Sequence, residues 1–271
     1  MPELPEVETT LKGIRPYLLE LKIIRLVVRE RRLRWPIEPY LEQKVRGRTV
    51  RSIKRRGKYI VMTLDGGGLL MHLGMSGSFR VLSTETVADT HDHYDLVNNH
   101  GQIVRYRDPR RFGCLLWTDG DPMQHHRIRS LGVEPLEHLL HGKYLYQAAR
   151  GRTTAVKKLL MNSQIIVGVG NIYASEALFD AGIHPLRGCH RISSTRYQRL
   201  TDSVQKILGA AIRRGGTTLQ DFTGVSGQPG YFTQELMVYG REGEHCYRCG
   251  RPIRNMTIGQ RSTFYCPGCQ H

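Results

Sequence analysis

Four cysteines near the end of the chain, set as Cys246-x2-Cys249 and Cys266-x2-Cys269, constrain this sequence more than any other feature. Each C-x-x-C puts two thiolates on one tight turn, and two such turns can offer four sulfurs to a tetrahedral Zn²⁺. Sixteen residues separate the pairs, and the turn residues Gly250, Pro267 and Gly268 lie within or beside them. Two disulfides are the rival reading, but they need an oxidising compartment. Nothing in the sequence indicates one: the chain opens Met1-Pro2-Glu3-Leu4-Pro5-Glu6, with no basic-then-apolar leader. The expectation is therefore one structural Zn²⁺ held by Cys246, Cys249, Cys266 and Cys269. With sulfur in all four positions it shapes a hairpin and does not catalyse. Cys114 and Cys189 stand apart and read as buried, small apolar residues.

Charge points to the partner. The 271 residues suggest about two domains, and they carry 40 Lys+Arg against 24 Asp+Glu, a net charge of +16. Such an excess favours a polyanion, of which nucleic acid is the commonest. The arginines occur at 29, 31, 32 and 34, at 46, 48 and 51, at 55 and 56 with Lys58, and at 105, 107, 110 and 111. Their spread through folded segments suggests a long groove that tracks a backbone, with binding strongly dependent on salt. No run approaches the ~20 apolar residues of a membrane span, so no membrane partner is expected, and the site of action is expected to be cytoplasmic.

The pattern of elements changes partway along. Val7, Leu11, Ile14 and Leu18 recur at helical spacing, so a first helix is expected from near Glu6, with Pro16 ending or bending it. From residue 22 to about 118 the chain reads as short strands: 23–29, 59–64, 69–73, 79–82, 94–97, 102–106 and 112–117. Breaks such as Asp65-Gly66-Gly67-Gly68 separate them, which suggests an antiparallel sandwich or barrel. Residues 121–137 read as a linker. Helices are expected beyond it at 142–150, 155–161, 172–181 and 194–214. The last carries an apolar stripe of Tyr197, Leu200, Val204, Ile207, Leu208 and Ala211, read as core.

Three features carry chemistry. Pro2 becomes a free secondary amine once Met1 is removed, and an α-amino group (pKa ~7.7–8.0) is far more often neutral at pH 7 than a lysine. Attack by a secondary amine on a sugar C1′ gives an iminium that cannot lose an N–H, a good electron sink for eliminating the 3′-phosphate. Glu3 can shuttle protons at the same centre. Next, Gly168-Val169-Gly170-Asn171 precedes a helical pattern, so backbone N–H groups and the Asn171 amide can meet a phosphate. Lastly, Met75 within His72-Leu73-Gly74-Met75-Ser76-Gly77, and Phe112 within Asp108-Pro109-Arg110-Arg111-Phe112-Gly113, can wedge into a base stack, with an arginine on the orphaned base. Each alone has a plainer reading: a chain start, a turn, core residues at strand ends.

Read together with Arg56-Gly57-Lys58-Tyr59 and the cysteine segment, these motifs run in one order over the whole chain, which closely resembles the bacterial formamidopyrimidine-DNA glycosylases. The resemblance implies an α+β fold. An N-terminal helix plus antiparallel β-sandwich (1–130) would be followed by a helix-two-turn-helix domain (131–235) and a zinc-finger β-hairpin (236–271), with DNA in the cleft between. It implies a bifunctional enzyme that excises oxidised purines from damaged double-stranded DNA and then cleaves the abasic site. In that scheme Pro2 is the Schiff-base nucleophile, Glu3 its acid/base partner and Lys58 a general acid for β-elimination. Arg261, between the cysteine pairs, grips phosphate and assists δ-elimination. Met75, Arg110 and Phe112 match the trio that fills the gap left by the flipped nucleotide. His91, Arg110, Arg152 and Asn171 match DNA contacts, Arg152 from a segment where the family's lysines are replaced. The Gly-rich stretch 215–231 is either a loop that closes over the base or a passive linker. The enzyme is expected to act as a monomer.

Two alternatives frame this reading. The related endonuclease VIII branch shares Pro2-Glu3 and the finger but prefers oxidised pyrimidines; Leu4 and Arg110-Arg111-Phe112-Gly113 favour the purine branch. A non-catalytic damaged-DNA-binding zinc protein would keep Met75, Arg110, Phe112 and the cysteines, but has no need of Pro2, Glu3 and Lys58 together.

Overall fold

The computed structural model describes residues 2–83, 86–215 and 236–271. Two compact units are present, one of residues 2–129 and one of residues 130–213 with 236–271.

The first unit begins with helix α1 (Leu4–Ile14), followed by a 3-10 turn at Arg15–Tyr17. The helix starts two residues earlier than the apolar spacing suggests, because its start is set by capping and not by periodicity. Pro5 in the first turn has a φ already suited to a helix, and Glu6 closes a capping box by accepting the Glu3 backbone N–H at 2.8 Å. Strand β1 (Ile23–Val28) and the short helix α2 (Leu41–Val45) follow. Seven strands come next: β2 (Val50–Arg56), β3 (Tyr59–Leu64), β4 (Gly67–His72), β5 (Ser78–Leu82), β6 (Asp92–Asn98), β7 (Ile103–Arg107) and β8 (Cys114–Thr118). They pair antiparallel as two four-stranded sheets, β1-β6-β7-β5 and β2-β3-β4-β8.

One core joins both sheets and α1. Val7, Leu11 and Ile14 from the helix pack with Ile60, Met62, Leu69 and Met71 of one sheet and with Phe79, Tyr94, Leu96 and Tyr106 of the other. Along β3 the core residues Ile60, Met62 and Leu64 alternate, as the two-residue repeat of a strand demands. Strand β2 is absent from the sequence expectation. Its segment, Val-Arg-Ser-Ile-Lys-Arg-Arg, offers only two apolar residues, both turned to the core.

A short helix α3 (His126–Arg129) ends this unit. The second unit holds α4 (Gly142–Ala149), α5 (Val156–Leu160), α6 (Asn171–Asp180) and α7 (Ser194–Arg213), then the hairpin β9 (Arg254–Ile258) and β10 (Arg261–Tyr265). Tyr197, Leu200, Val204, Leu208 and Ala211 of α7 are buried against Leu145, Tyr173 and Leu178, and Ile207 is partly buried beside them. The hairpin segment has a small core of its own in which Phe179 meets Val238, Ile253, Cys246 and Cys266. No described helix is long and apolar enough to cross a membrane. The segment from 216 to 231 falls outside the described residues.

Candidate functional site

Pro2 and Glu3 are buried at the N-terminus of α1, and Glu3 is that helix's N-cap. Because the cap is locked by Glu6, which is fully buried, the two residues ahead of the helix have a fixed exit direction. Lys58 sits in the two-residue turn between β2 and β3. Gly57 there has a φ of 58°, and glycine in the first central position is the type II′ arrangement that matches strand twist. One guanidinium connects these elements. Arg55 holds Glu8 of α1 at 2.9 Å through Nε and the Gly57 carbonyl at 3.1 Å through a terminal nitrogen. The sequence gives no sign of this bridge, since its ends are 47 residues apart.

Close to Lys58 lies His72, which pairs with Tyr59 across β3 and β4. Burial, reinforced by the Lys58 and Arg34 cations, pushes its pKa down to about 4. The ring is therefore neutral at pH 7, and its Nδ1 accepts the Gly74 N–H at 2.9 Å.

Met75, Arg110 and Phe112 come together on two loops that touch backbone to backbone. Gly74 has a φ of 64°, and a Cβ there would lie 2.4 Å from the Phe112 carbonyl carbon and the Gly113 nitrogen. A Cβ on Gly113 would lie 1.7 Å from the Tyr106 hydroxyl oxygen. Two glycines thus permit the approach. Phe112 is 44% exposed and lies in the loop before β8, not in the strand as its apolar run suggests. The Arg110 guanidinium stands 5.0 Å from the Phe112 ring centroid, a cation–π pair on an exposed tip. Met75 is half-buried, and His91 occupies the turn ahead of β6, where its carbonyl accepts the Asp108 N–H at 3.0 Å.

The arginine clusters separate once their partners are known. Arg29 and Arg105 pair with Asp95, Arg31 with Glu42, Arg32 and Arg111 with Glu30, Arg51 with Asp65, Arg55 with Glu8 and Arg107 with Asp89. Most of the run is therefore paired with carboxylates, and the Arg51, Arg55 and Arg105 pairs join different segments of the sandwich unit. Arg110 has no carboxylate partner among the described residues, which leaves its charge available to a ligand.

In the second unit, Asn171 opens α6 and donates to the Ser262 carbonyl at 2.9 Å, beside Arg261. Its Oδ1 is buried without a hydrogen-bond partner among the described residues. Arg261 is exposed at the start of β10, straight after a turn with Gly259 at φ 56° and Gln260 at φ 61°. Two positive φ values define a type I′ hairpin turn. Lys157 of α5, 1% exposed, donates to Thr263 Oγ1 at 2.8 Å, so α5 and α6 both grip the strand that carries Arg261. Glu176 of α6 accepts the backbone N–H groups of Met237, Val238 and Tyr239 at 2.8–3.0 Å. Sequence reasoning missed both Lys157 and Glu176; charged residues with buried, distant partners leave no local pattern. Arg152 stands apart: exposed after α4, it donates to the Ala148 carbonyl at 2.8 Å and bonds to neither Asn171 nor Arg261.

The sulfurs of Cys246, Cys249, Cys266 and Cys269 lie within 4.8 Å of one another, with 3.9 Å between Cys246 and Cys269 and 3.3 Å between Cys249 and Cys266. A disulfide requires ~2.05 Å. A tetrahedral ion with Zn–S bonds of ~2.3 Å separates its sulfurs by about 3.8 Å, so the cluster fits Zn²⁺. Cys114 and Cys189 are fully buried, and burial pushes the Cys114 thiol up to about 12.

A helical unit closed by a four-cysteine zinc hairpin, together with an antiparallel sandwich preceded by a Pro-Glu cap, defines a two-unit zinc-finger protein. Three family models match it in turn: the formamidopyrimidine-DNA glycosylase N-terminal domain over residues 1–115, the H2TH domain of the same enzymes over 131–223, and a zinc finger found in FPG and IleRS over 243–271. A formamidopyrimidine-DNA glycosylase of Ectopseudomonas mendocina is 52% identical over 270 residues, covering 100% of both chains. Among solved structures, the MutM (Fpg) protein of Thermus thermophilus superposes with a TM-score of 0.88 at 34% identity, covering 99% of this chain and 98% of that one. The Lactococcus lactis enzyme in complex with a Fapy-dG-containing DNA gives 0.89 at 31% identity, with 99% of each chain covered. The chain belongs to the formamidopyrimidine-DNA glycosylase family.

Proposed function

We propose that this protein is a bifunctional DNA repair glycosylase that removes oxidised purines, 8-oxoguanine and formamidopyrimidines, from duplex DNA and then cuts the strand on both sides of the abasic sugar. The observation that carries the reading is the locked α1 cap, which fixes Pro2 and Glu3 at the helix start, bridged through Glu8 and Arg55 to the Lys58 turn. The relative whose structure contains Fapy-dG DNA supports the substrate class.

In the reaction, the phenyl ring of Phe112, the thioether of Met75 and the Arg110 guanidinium occupy the space left by the extruded nucleotide, at a few kcal/mol for unstacking. The Pro2 nitrogen lone pair forms a bond to C1′, and the N-glycosidic bond breaks with its electrons leaving on the base. The nitrogen loses its proton, and the C1′–O4′ bond then breaks as Glu3 passes a proton to O4′, opening the sugar ring and leaving a C1′=N⁺ iminium. The resulting iminium acidifies C2′; loss of that proton expels the 3′-phosphate, with Lys58 as general acid. A second elimination expels the 5′-phosphate, with Arg261 holding the phosphate. Water then releases Pro2 and leaves a one-nucleotide gap with phosphate at each end. Zn²⁺ contributes indirectly, by fixing the hairpin that bears Arg261. His91, Arg152 and Asn171 contribute DNA contacts. Every group in this scheme belongs to one chain, in keeping with a monomer. The free cysteines suit a reducing bacterial cytoplasm.

Borohydride trapping tests the scheme on a duplex with one 8-oxoguanine opposite cytosine, beside thymine-glycol and undamaged duplexes. The adduct is expected on the 8-oxoguanine duplex, mapped to Pro2, and absent from a variant that retains Met1. Trapping by that variant would falsify the assignment of Pro2, and preferred trapping on thymine glycol would transfer the protein to the pyrimidine branch.

A further inference from the structure

A fully buried carboxylate lies at the junction of the two loops that carry Met75, Arg110 and Phe112, and the scheme above gives it no part. Asp108 is 0% exposed. Its Oδ1 accepts the Ser76 hydroxyl at 2.7 Å and the Arg110 N–H at 3.3 Å. Its Oδ2 accepts the Gly113 N–H at 2.8 Å and the Tyr106 hydroxyl at 3.1 Å. Burial, and then the nearby Asp108 charge, raise the Tyr106 pKa well above its ordinary value, so this hydroxyl keeps the proton it donates. The backbone of Asp108 extends the junction: its N–H reaches the His91 carbonyl at 3.0 Å, and its carbonyl accepts the His93 Nε2–H at 2.7 Å.

We propose that Asp108 is a positioning residue for base extrusion, binding the Met75 loop and the Arg110–Phe112 loop into one preformed wedge. The inference rests on the wedge role assigned above to Met75, Arg110 and Phe112. Two of the four side-chain acceptances come from residues adjoining the wedge, Ser76 after Met75 and Gly113 after Phe112, and a third from Arg110 itself. Only an ionised carboxylate accepts on both edges. An asparagine turns an NH₂ toward either the Ser76 and Arg110 donors or the Gly113 and Tyr106 donors, and one loop is released. A released loop must be ordered again at each extrusion, on top of the unstacking cost.

The test compares Asp108→Asn, Ser76→Ala and Phe112→Ala with the unaltered protein. Three quantities are read: single-turnover excision of 8-oxoguanine from duplex, the fluorescence rise of a 2-aminopurine beside the lesion, and trapping on an abasic site in single-stranded DNA, where nothing needs extruding. Asp108→Asn is expected to slow excision and the fluorescence rise about 100-fold, and Ser76→Ala about tenfold, with trapping on the single strand within about threefold of normal. A general structural weakening would lower all three readouts together, and that result overturns the proposal. So does normal excision by both variants. Should Asp108→Asn fail to fold, Ser76→Ala decides by the same criteria. Phe112→Ala separates the two levels: normal extrusion by it removes the wedge reading itself, whereas slow extrusion by it with normal Asp108→Asn and Ser76→Ala removes only the role of Asp108.

Discussion

Replacement of Gly113 by alanine tests how tightly the two loops of the first unit are packed. The added Cβ would sit 1.7 Å from the Tyr106 hydroxyl oxygen and 2.6 Å from the His72 carbonyl oxygen. Neither neighbour gives way easily. Tyr106 is 1% exposed within β7, and His72 belongs to β4, paired with Cys114 of β8. Overpacking of this kind costs about 1–3 kcal/mol. Moving the Tyr106 hydroxyl also breaks its bond to the Asp108 carboxylate, a charged partner, for about 1.5–3 kcal/mol more. Together these give roughly 4 kcal/mol, which at ~3 °C per kcal/mol lowers the melting temperature by about 12 °C. Gly101→Ala is the control, since a Cβ there meets nothing within 4 Å and only its φ of 77° is strained; about 1 kcal/mol, or ~3 °C, is expected. Calorimetry on both variants and on Gly113→Ala/Tyr106→Phe completes the set. The double variant should recover part of the loss, because it removes the nearest atom and leaves contacts at 2.6 and 2.9 Å. Equal melting temperatures for Gly113→Ala and Gly101→Ala would refute the packing argument.

Three further outcomes are expected. Chelation of the zinc should lower affinity for abasic duplex at least about tenfold while the sandwich melts unchanged, since the four sulfurs shape only the hairpin unit; unchanged affinity after verified metal loss would contradict the role given to the Arg261 hairpin. His72 has a folded pKa pushed down to about 4 against ~6.5 unfolded, so the fold favours its neutral form. Its contribution is complete above pH 6.5 and is lost as pH falls through 4, by at most about 3 kcal/mol; an NMR titration of the ring near pH 6.5 would contradict this. Glu176→Gln opposes an NH₂ to one of the Met237, Val238 and Tyr239 donors, and should cost about 2 kcal/mol and speed hydrogen exchange at those amides. Unchanged exchange would remove the clamp.

What the sequence made legible was what is local or periodic. Cysteine spacing specified the metal cluster, a short apolar run bounded by turn signals specified β3, and the apolar stripe from Tyr197 to Ala211 specified α7 as core. Capping explains why α1 begins at Leu4 when spacing pointed to Glu6, and β2 went unread because its arginines and lysine mask its two core residues. Partners far apart in sequence left no trace. Arg29 and Asp95 are 66 residues apart, Ser76 and Asp108 32, and Lys157 and Thr263 106. The same basic run therefore contains both ion-paired arginines and the cation proposed to meet DNA, and composition cannot sort one from the other.

That sorting has a measurable consequence for DNA binding. If the whole net excess of +16 met phosphates, log affinity would fall against log salt with a slope of about −0.9 × 16, or roughly −14. The cations assigned to DNA are far fewer: Lys58, Arg110, Arg152 and Arg261, with Asn171 neutral. Four phosphates neutralised give a slope of about −0.9 × 4, near −4. Arg29, Arg31 and Arg51, with Arg105, already face Asp95, Glu42 and Asp65, and Asp92 also faces Arg105, so they are expected to release few counterions on binding. Titrating abasic duplex between 50 and 300 mM salt decides between the two slopes. A value near −14 would mean that cations well beyond these four, among the sixteen left over once every carboxylate is matched, also meet phosphates. A slope near −4 that falls to about −3 in Arg110→Gln would place one of the four counterion-releasing cations at the loop tip beside Phe112.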